Sequence, residues 1–146
     1  MPDTINIHAS CVAFGDDGVL LLGVSGCGKS DLALRLIENG AKLVSDDRTD
    51  LRVEQGGLIA SAPTAIAGLL EVRHIGILRM PFLEQTRVAL AVDLAPQTTM
   101  LERLPAQECA TYLDINLRRL RLHPFEASTR AKIRAALLYP GLTTNA

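Results

Sequence analysis

The sequence predicts a strand-rich α/β domain built around a P-loop, and three observations carry that expectation. The octet Gly23-Val24-Ser25-Gly26-Cys27-Gly28-Lys29-Ser30 satisfies the phosphate-binding pattern G-x-x-x-x-G-K-S/T at every fixed position. A short apolar run, Val19 to Leu22, precedes it and a stretch of good helix formers follows it, giving the strand–loop–helix order that a polyphosphate cradle needs. Elsewhere the chain breaks into short strand-like segments separated by turns, with few helical stretches. The regular strand–helix alternation of an ordinary nucleotide-binding sheet is therefore not expected.

Taken in order, Asn6 to Phe14 mixes apolar and small polar residues and reads as an opening strand. Gly15-Asp16-Asp17-Gly18 is a tight turn, which makes a hairpin of that strand and Val19 to Leu22. Ser30 to Glu38 forms a helix that stops at Asn39-Gly40. Lys42 to Ser45 returns as a strand and ends in Asp46-Asp47. Asp50 to Glu54 and Leu58 to Ser61, joined by Gln55-Gly56-Gly57, form a second hairpin. Pro63 to Leu70 lacks a clean period and reads as loop or short helix. Glu71 to Met80 reads as strand, turn at Gly76, and strand; Thr86 to Leu94 is a further strand. Tyr112 to Leu117 alternates as a half-buried strand should. Ser128 N-caps a last helix through Tyr139, with Ala131, Ala135 and Leu138 on one side of it; Pro140-Gly141 end it and Thr143 to Ala146 fray.

The 146 residues suit one domain, 1–146, and 48% of them are apolar, enough for a packed core built from Leu, Ile, Val and Ala in the absence of Trp. A net charge of −1 argues against a general electrostatic grip on nucleic acid or an anionic membrane. No stretch approaches the ~20 apolar residues of a membrane span, and no basic region leads into an apolar run near Asp3 as in a secretory signal. Cys11, Cys27 and Cys109 form no metal-binding spacing and cannot all pair, so a cytoplasmic location is expected. Cys27 is either a small residue filling the loop or a redox-active thiol beside Lys29.

The loop implies specific chemistry. Its glycines let backbone N–H groups approach phosphate oxygens, Lys29 reaches the β/γ-phosphates and the Ser30 hydroxyl ligates Mg²⁺. Phosphoryl transfer also needs a second metal ligand, a group for the acceptor's proton, and cations. Asp46 and Asp47 end a strand where ligand crevices open, and adjacent strand residues point to opposite sides, so the two carboxylates suit different tasks. The first hairpin brings His8 towards the base of the loop. Glu71 and Arg73 share one face of their strand, as an ion pair or as a metal ligand beside a phosphate-contacting arginine.

His8, the loop with Asp31 after it, Leu43-Val44-Ser45-Asp46-Asp47 and Leu70-Glu71-Val72-Arg73-His74-Ile75-Gly76-Ile77 together resemble bacterial HPr kinase/phosphorylase, over roughly residues 4 to 80. The resemblance implies a P-loop kinase domain of the type shared with phosphoenolpyruvate carboxykinase, in a short form that carries the catalytic domain alone. It implies an ATP- and Mg²⁺-dependent serine kinase acting on HPr, the phosphocarrier of the sugar phosphotransferase system, with phosphorolysis as the reverse reaction. By the same resemblance Asp46 is the general base, His8 hydrogen-bonds that carboxylate, and Arg73 lies near the transferred phosphate. Gly23, Ser25, Gly26, Cys27, Gly28, Lys29, Ser30 and Asp31 hold the nucleotide, and Ser30, Asp47 and Glu71 surround Mg²⁺. Relatives form hexamers, so a homo-oligomer is expected.

The pattern departs from the family twice. His74 stands where the family has Gly, and His123-Pro124-Phe125-Glu126-Ala127-Ser128 stands where it has Pro-Gly-Arg-Asn, with Arg130 the nearest substitute for the missing arginine. A nucleotide-sensing regulatory module with little catalysis is the alternative, and a small-molecule kinase sharing only the loop a third. Arg118-Arg119-Leu120-Arg121 is a solvated strand end or a docking surface.

Overall fold

The structure, a computed structural model, describes residues 3–139 and 141. The stop at Pro140 and the frayed end from Thr143 to Ala146 lie outside the described residues. The described residues form eleven strands and two α-helices: β1 (Thr4–Ile7), β2 (Ala9–Phe14), β3 (Asp17–Leu22), α1 (Lys29–Glu38), β4 (Lys42–Ser45), β5 (Thr49–Glu54), β6 (Gly57–Ser61), β7 (Leu69–Val72), β8 (Gly76–Arg79), β9 (Thr86–Leu94), β10 (Glu108–Tyr112), β11 (Ile115–Leu122) and α2 (Thr129–Leu138). The expected strand-rich α/β architecture is what forms.

Nine strands make one mixed sheet in the order β1-β5-β6-β9-β3-β2-β4, with β11 also on β9 and β10 on β11. Strand β9 is its hinge. Its start pairs antiparallel with β6 through Arg87 and Thr86, and its later part runs parallel to both β3 and β11. Against β3 the register jumps from Gly18–Val88 to Val19–Leu90, so Ala89 is an extra residue in β9. Because side chains alternate with period two, that bulge moves Leu90, Val92 and Leu94 onto one face while Val88 stays on the other.

Both faces of the sheet are covered, which explains why β2 is buried along its whole length. Val12, Val19, Leu21, Leu43, Leu90 and Val92 pack with Leu32 and Leu36 of α1 and Ile133 of α2. On the opposite face lie Ala9, Cys11, Leu20, Val44, Leu51, Leu58, Ala91 and Leu117. Helix α1 buries Lys29, Leu32, Ala33 and Leu36, the i, i+3, i+4, i+7 stripe of an amphipathic helix. It ends where Gly40 takes φ +104 and the Ala41 N–H donates back to the Leu36 carbonyl at 3.1 Å.

The structure corrects four local expectations. Asn6 to Phe14 is two strands broken at His8, because β1 pairs with β5 while β2 lies between β3 and β4. Tyr112 to Leu117 is a hairpin: Leu113 and Asp114 adopt left-handed φ of 50° and 64° and reverse the chain between β10 and β11. The turn between β7 and β8 falls at Arg73-His74-Ile75 rather than Gly76, so Arg73 leaves the strand that carries Glu71. In α2 the packed side is Thr129, Ile133, Ala136 and Leu137, whereas Ala131, Ala135 and Leu138 face outward. Ser128 does occupy the N-cap position, without a side-chain cap bond. The basic run lies within β11 and is tied to acidic neighbours, Arg119 to Asp93 at 2.6 Å and Arg121 to Glu108 at 3.0 Å.

Candidate active site

The loop between β3 and α1 turns tightly enough that the Cys27 N–H donates to the Val24 carbonyl at 3.1 Å. Gly28 closes it in a left-handed conformation, φ 110°, that only glycine adopts without strain. The Lys29 side chain, 5% exposed as a residue, lies back across the loop, its Nζ donating to the carbonyls of Gly23 at 2.8 Å and Val24 at 3.1 Å. Cys27 Sγ sits 3.9 Å from the same ammonium and fills the space beside Gly23, where a Cβ would lie 2.5 Å from that sulfur. Packing accounts for this cysteine.

One cleft of about 550 Å³ opens at the loop. Ser25, Gly26, Gly28, Lys29, Ser30 and Asp31 line it together with Asp46, Asp47, Glu71, Arg73, His74 and Phe125. Gly23, Cys27 and His8 are not among the residues that line it. Arg130 does not reach the cleft; it borders a smaller hollow with Phe14 and Arg134.

The two aspartates have opposite environments, and their partners are fixed by how β4 meets β2. The ladder between these strands shifts register at Cys11–Val12, which brings the start of β2 beside the end of β4. Ser10 Oγ donates to Asp46 Oδ1 at 2.9 Å and accepts the Asp47 N–H at 3.0 Å. The same Asp46 oxygen accepts the Ser30 hydroxyl at 2.7 Å, and Asp46 Oδ2 accepts the Glu71 N–H at 3.1 Å. Asp46 is thus buried, 8% exposed, with both oxygens occupied. Asp47 takes a left-handed φ of 70°, which turns it out of the strand into the cleft. Its Oδ1 accepts the His8 Nε2–H at 2.7 Å, and its side chain is 63% exposed.

One expectation changes accordingly. His8 bonds Asp47, not Asp46, because the break at His8 points the ring at the turned-out residue. Of the two aspartates it is Asp46 that Ser30 bonds, whereas Asp47, expected beside Ser30 and Glu71 around Mg²⁺, is held by His8. Ser10, which joins both aspartates, carries no signal in the sequence beyond a hydroxyl in an otherwise apolar strand. Phe125 was likewise missed as a cleft residue.

Glu71 presents its carboxylate at the cleft from β7, and Arg73 and His74 follow in the turn. Among the described residues Arg73 has no ion-pair partner. His74 holds a left-handed φ of 73°, the conformation that a glycine would take at less cost. Asp31 pairs with Arg35 at 3.0 Å on the flank of α1. No three His, Cys, Asp or Glu side chains converge on a metal-sized point among the described residues. Ser30, Asp46 and Glu71 bring oxygen donors to the cleft, and an ion taking the place of the Ser30–Asp46 hydrogen bond would meet the kind of oxygen ligands that suit Mg²⁺, which takes few carboxylates and retains others from phosphate and water.

A mixed sheet, a glycine loop and an acidic strand end around one cleft make this a strand-rich α/β domain with a phosphate-binding loop. The family model described as HPr Serine kinase C-terminal domain matches residues 1–133, and the chain belongs to that family. The HPr kinase/phosphorylase of Geobacillus thermodenitrificans is 38% identical over 130 residues, covering 82% of this chain and 42% of the relative. That of Clostridium tetani is 44% identical over 82 residues, 56% of this chain and 27% of the relative. The chain therefore spans less than half the length of these curated relatives. The solved Hpr(Ser) kinase/phosphatase of Coxiella burnetii is 29% identical with a TM-score of 0.81, covering 92% of this chain and 91% of that one. No helix among the described residues is long and apolar enough to cross a membrane.

Proposed function

We propose that this domain is an ATP- and Mg²⁺-dependent protein-serine kinase acting on an HPr-type phosphocarrier. The observation that carries the reading is Asp47, held by His8 and lining the same cleft as Lys29 and the Ser30–Asp46 pair. Proton handling and metal binding thereby fall to two adjacent carboxylates.

The loop N–H groups and the start of α1 receive the phosphates of ATP. Lys29 exchanges the Gly23 and Val24 carbonyls for phosphate oxygens, a short movement because its ammonium already lies over the loop. Ser30 and Asp46 would hold Mg²⁺, with Glu71 lining the same cleft, and the ion would supply positive charge to offset that of the phosphates. Asp47 accepts the proton of the acceptor serine as that hydroxyl oxygen bonds to the γ-phosphorus and the bond to the departing ADP breaks. His8 is a positioning residue: its Nε2–H fixes the Asp47 carboxylate through one oxygen and leaves the other for the serine. Arg73 supplies positive charge to the transferred group. In phosphorolysis an oxygen of inorganic phosphate bonds to the phosphorus of the phosphoserine, the serine O–P bond breaks to leave pyrophosphate, and protonated Asp47 returns the proton to the serine oxygen.

The test is incubation of the purified protein with γ-labelled ATP, Mg²⁺ and HPr from the same organism, followed by phosphoamino-acid analysis. Phosphoserine on HPr is the expected product. ATP binding without transfer would favour a nucleotide-sensing module instead.

A further inference from the structure

Phe125 lines the cleft beside the phosphate loop with its residue surface 63% exposed, yet it is held in place rather than left dangling. The Arg35 guanidinium stands 5.9 Å from the ring centroid, within cation–π reach. The same guanidinium donates to the Pro124 carbonyl and, through Nε, to Asp31 at 3.0 Å. Behind the ring the chain is pinned again. The Thr129 hydroxyl donates to the His123 carbonyl, the His123 Nε2–H donates to the Thr99 carbonyl at 2.7 Å, and Lys132 bonds Glu126 at 3.1 Å.

The ring's tip reaches the loop itself. A Cβ on Gly28 would lie 2.8 Å from Phe125 Cζ. Gly28 is the N-cap of α1, and Asp31 and Arg35, four apart, share the face of the helix on which the ring lies. Phe125 thus covers the flank of α1 at the loop's exit. A triphosphate whose outer groups meet Lys29 has its α-phosphate at the loop backbone and the helix start. Its nucleoside then leaves the loop past Gly28 and Asp31, where the aromatic ring stands.

We infer that Phe125 is the stacking platform for the nucleobase, and so the residue by which this cleft prefers a nucleotide to a bare polyphosphate. The inference rests on the proposed ATP site. Stacking uses the π-face that every base has, so ATP and GTP gain from it to similar degrees while tripolyphosphate gains nothing.

The chain has no tryptophan, so Phe125→Trp installs a single fluorescent reporter at the site. Saturating Mg-ATP quenches or shifts its emission, whereas saturating magnesium tripolyphosphate leaves it unchanged. By calorimetry Phe125→Ala binds ATP about tenfold more weakly and tripolyphosphate within about twofold of the parent. Equal losses for both ligands, no loss for either, or an indole unmoved by saturating ATP would each overturn the inference while leaving the ATP site intact. A parent protein that binds neither ligand would overturn the ATP-site reading, and the inference with it.

Discussion

His8 and Asp47, 39 residues apart in the chain, are joined by a 2.7 Å hydrogen bond at the rim of the cleft. Two local irregularities make that bond: the break between β1 and β2 at His8, and the left-handed turn at Asp47. If the bond positions the carboxylate without touching nucleotide, His8→Ala lowers kcat for HPr phosphorylation by roughly 10- to 100-fold, at the lower end of acid–base effects. KM for ATP stays within about twofold. His8→Gln, which keeps a donor, recovers part of the loss. Steady-state kinetics of the three proteins check this; a change confined to KM would contradict it.

Ser30 gives its hydroxyl to Asp46 at 2.7 Å, the pair proposed to hold Mg²⁺. Ser30→Ala is expected to weaken ATP binding by about tenfold or more in the presence of Mg²⁺. In chelator the variant and the parent bind ATP alike. Calorimetric titration with and without the metal separates these effects.

Gly28 is constrained twice, by its φ of 110° and by Phe125 at its Cα. Gly28→Ala adds about 1–2 kcal/mol of left-handed strain to a steric overlap with the ring. The expected outcome is a lower denaturant midpoint together with weakened tripolyphosphate and ATP binding, since the loop backbone shifts for both. A stable variant with unchanged affinity would show that the loop is not held as described.

Cys11 lies in the core, and burial pushes its thiol up to about 12 from the ordinary 9.0. The unfolded chain therefore loses this proton near pH 9 while the folded one keeps it. Stability is fully present below pH 9 and falls as pH rises from there towards 12, at up to about 1.4 kcal/mol per pH unit from this group. Unfolding melts across that window check the slope, and Cys11→Ala should flatten it. In the folded protein, alkylation of Cys11 should lag far behind that of the exposed Cys109.

Much of the fold was legible because its signals are local. The glycine loop, the amphipathic stripe of α1 and the glycine turns of the β2–β3 and β5–β6 hairpins each stand within a dozen residues. What escaped depends on tertiary pairing or on backbone conformations that the residues do not advertise. Nothing near His8 announces a strand break; it follows from β1 joining β5 while β2 joins β3 and β4. Leu113 and Asp114 reverse the chain without a glycine, and His74 takes the left-handed position in a turn where Gly76 was the visible candidate. Asp46 and Asp47 are indistinguishable as neighbours in a sequence. Only the Ser10 hydroxyl, the start of α1 and a left-handed φ assign one to the interior and the other to the cleft.

That assignment is tested most directly by comparing Asp46→Asn and Asp47→Asn for Mg-ATP affinity and for phosphate transfer to HPr in one experiment. The amide of Asp46→Asn cannot serve all of Ser10, Ser30 and the Glu71 N–H as the carboxylate does. That variant is predicted to lose metal-dependent ATP binding. Asp47→Asn is predicted to bind Mg-ATP as the parent does and to transfer no phosphate. Lost binding in Asp47→Asn, with binding kept and transfer abolished in Asp46→Asn, would contradict the account.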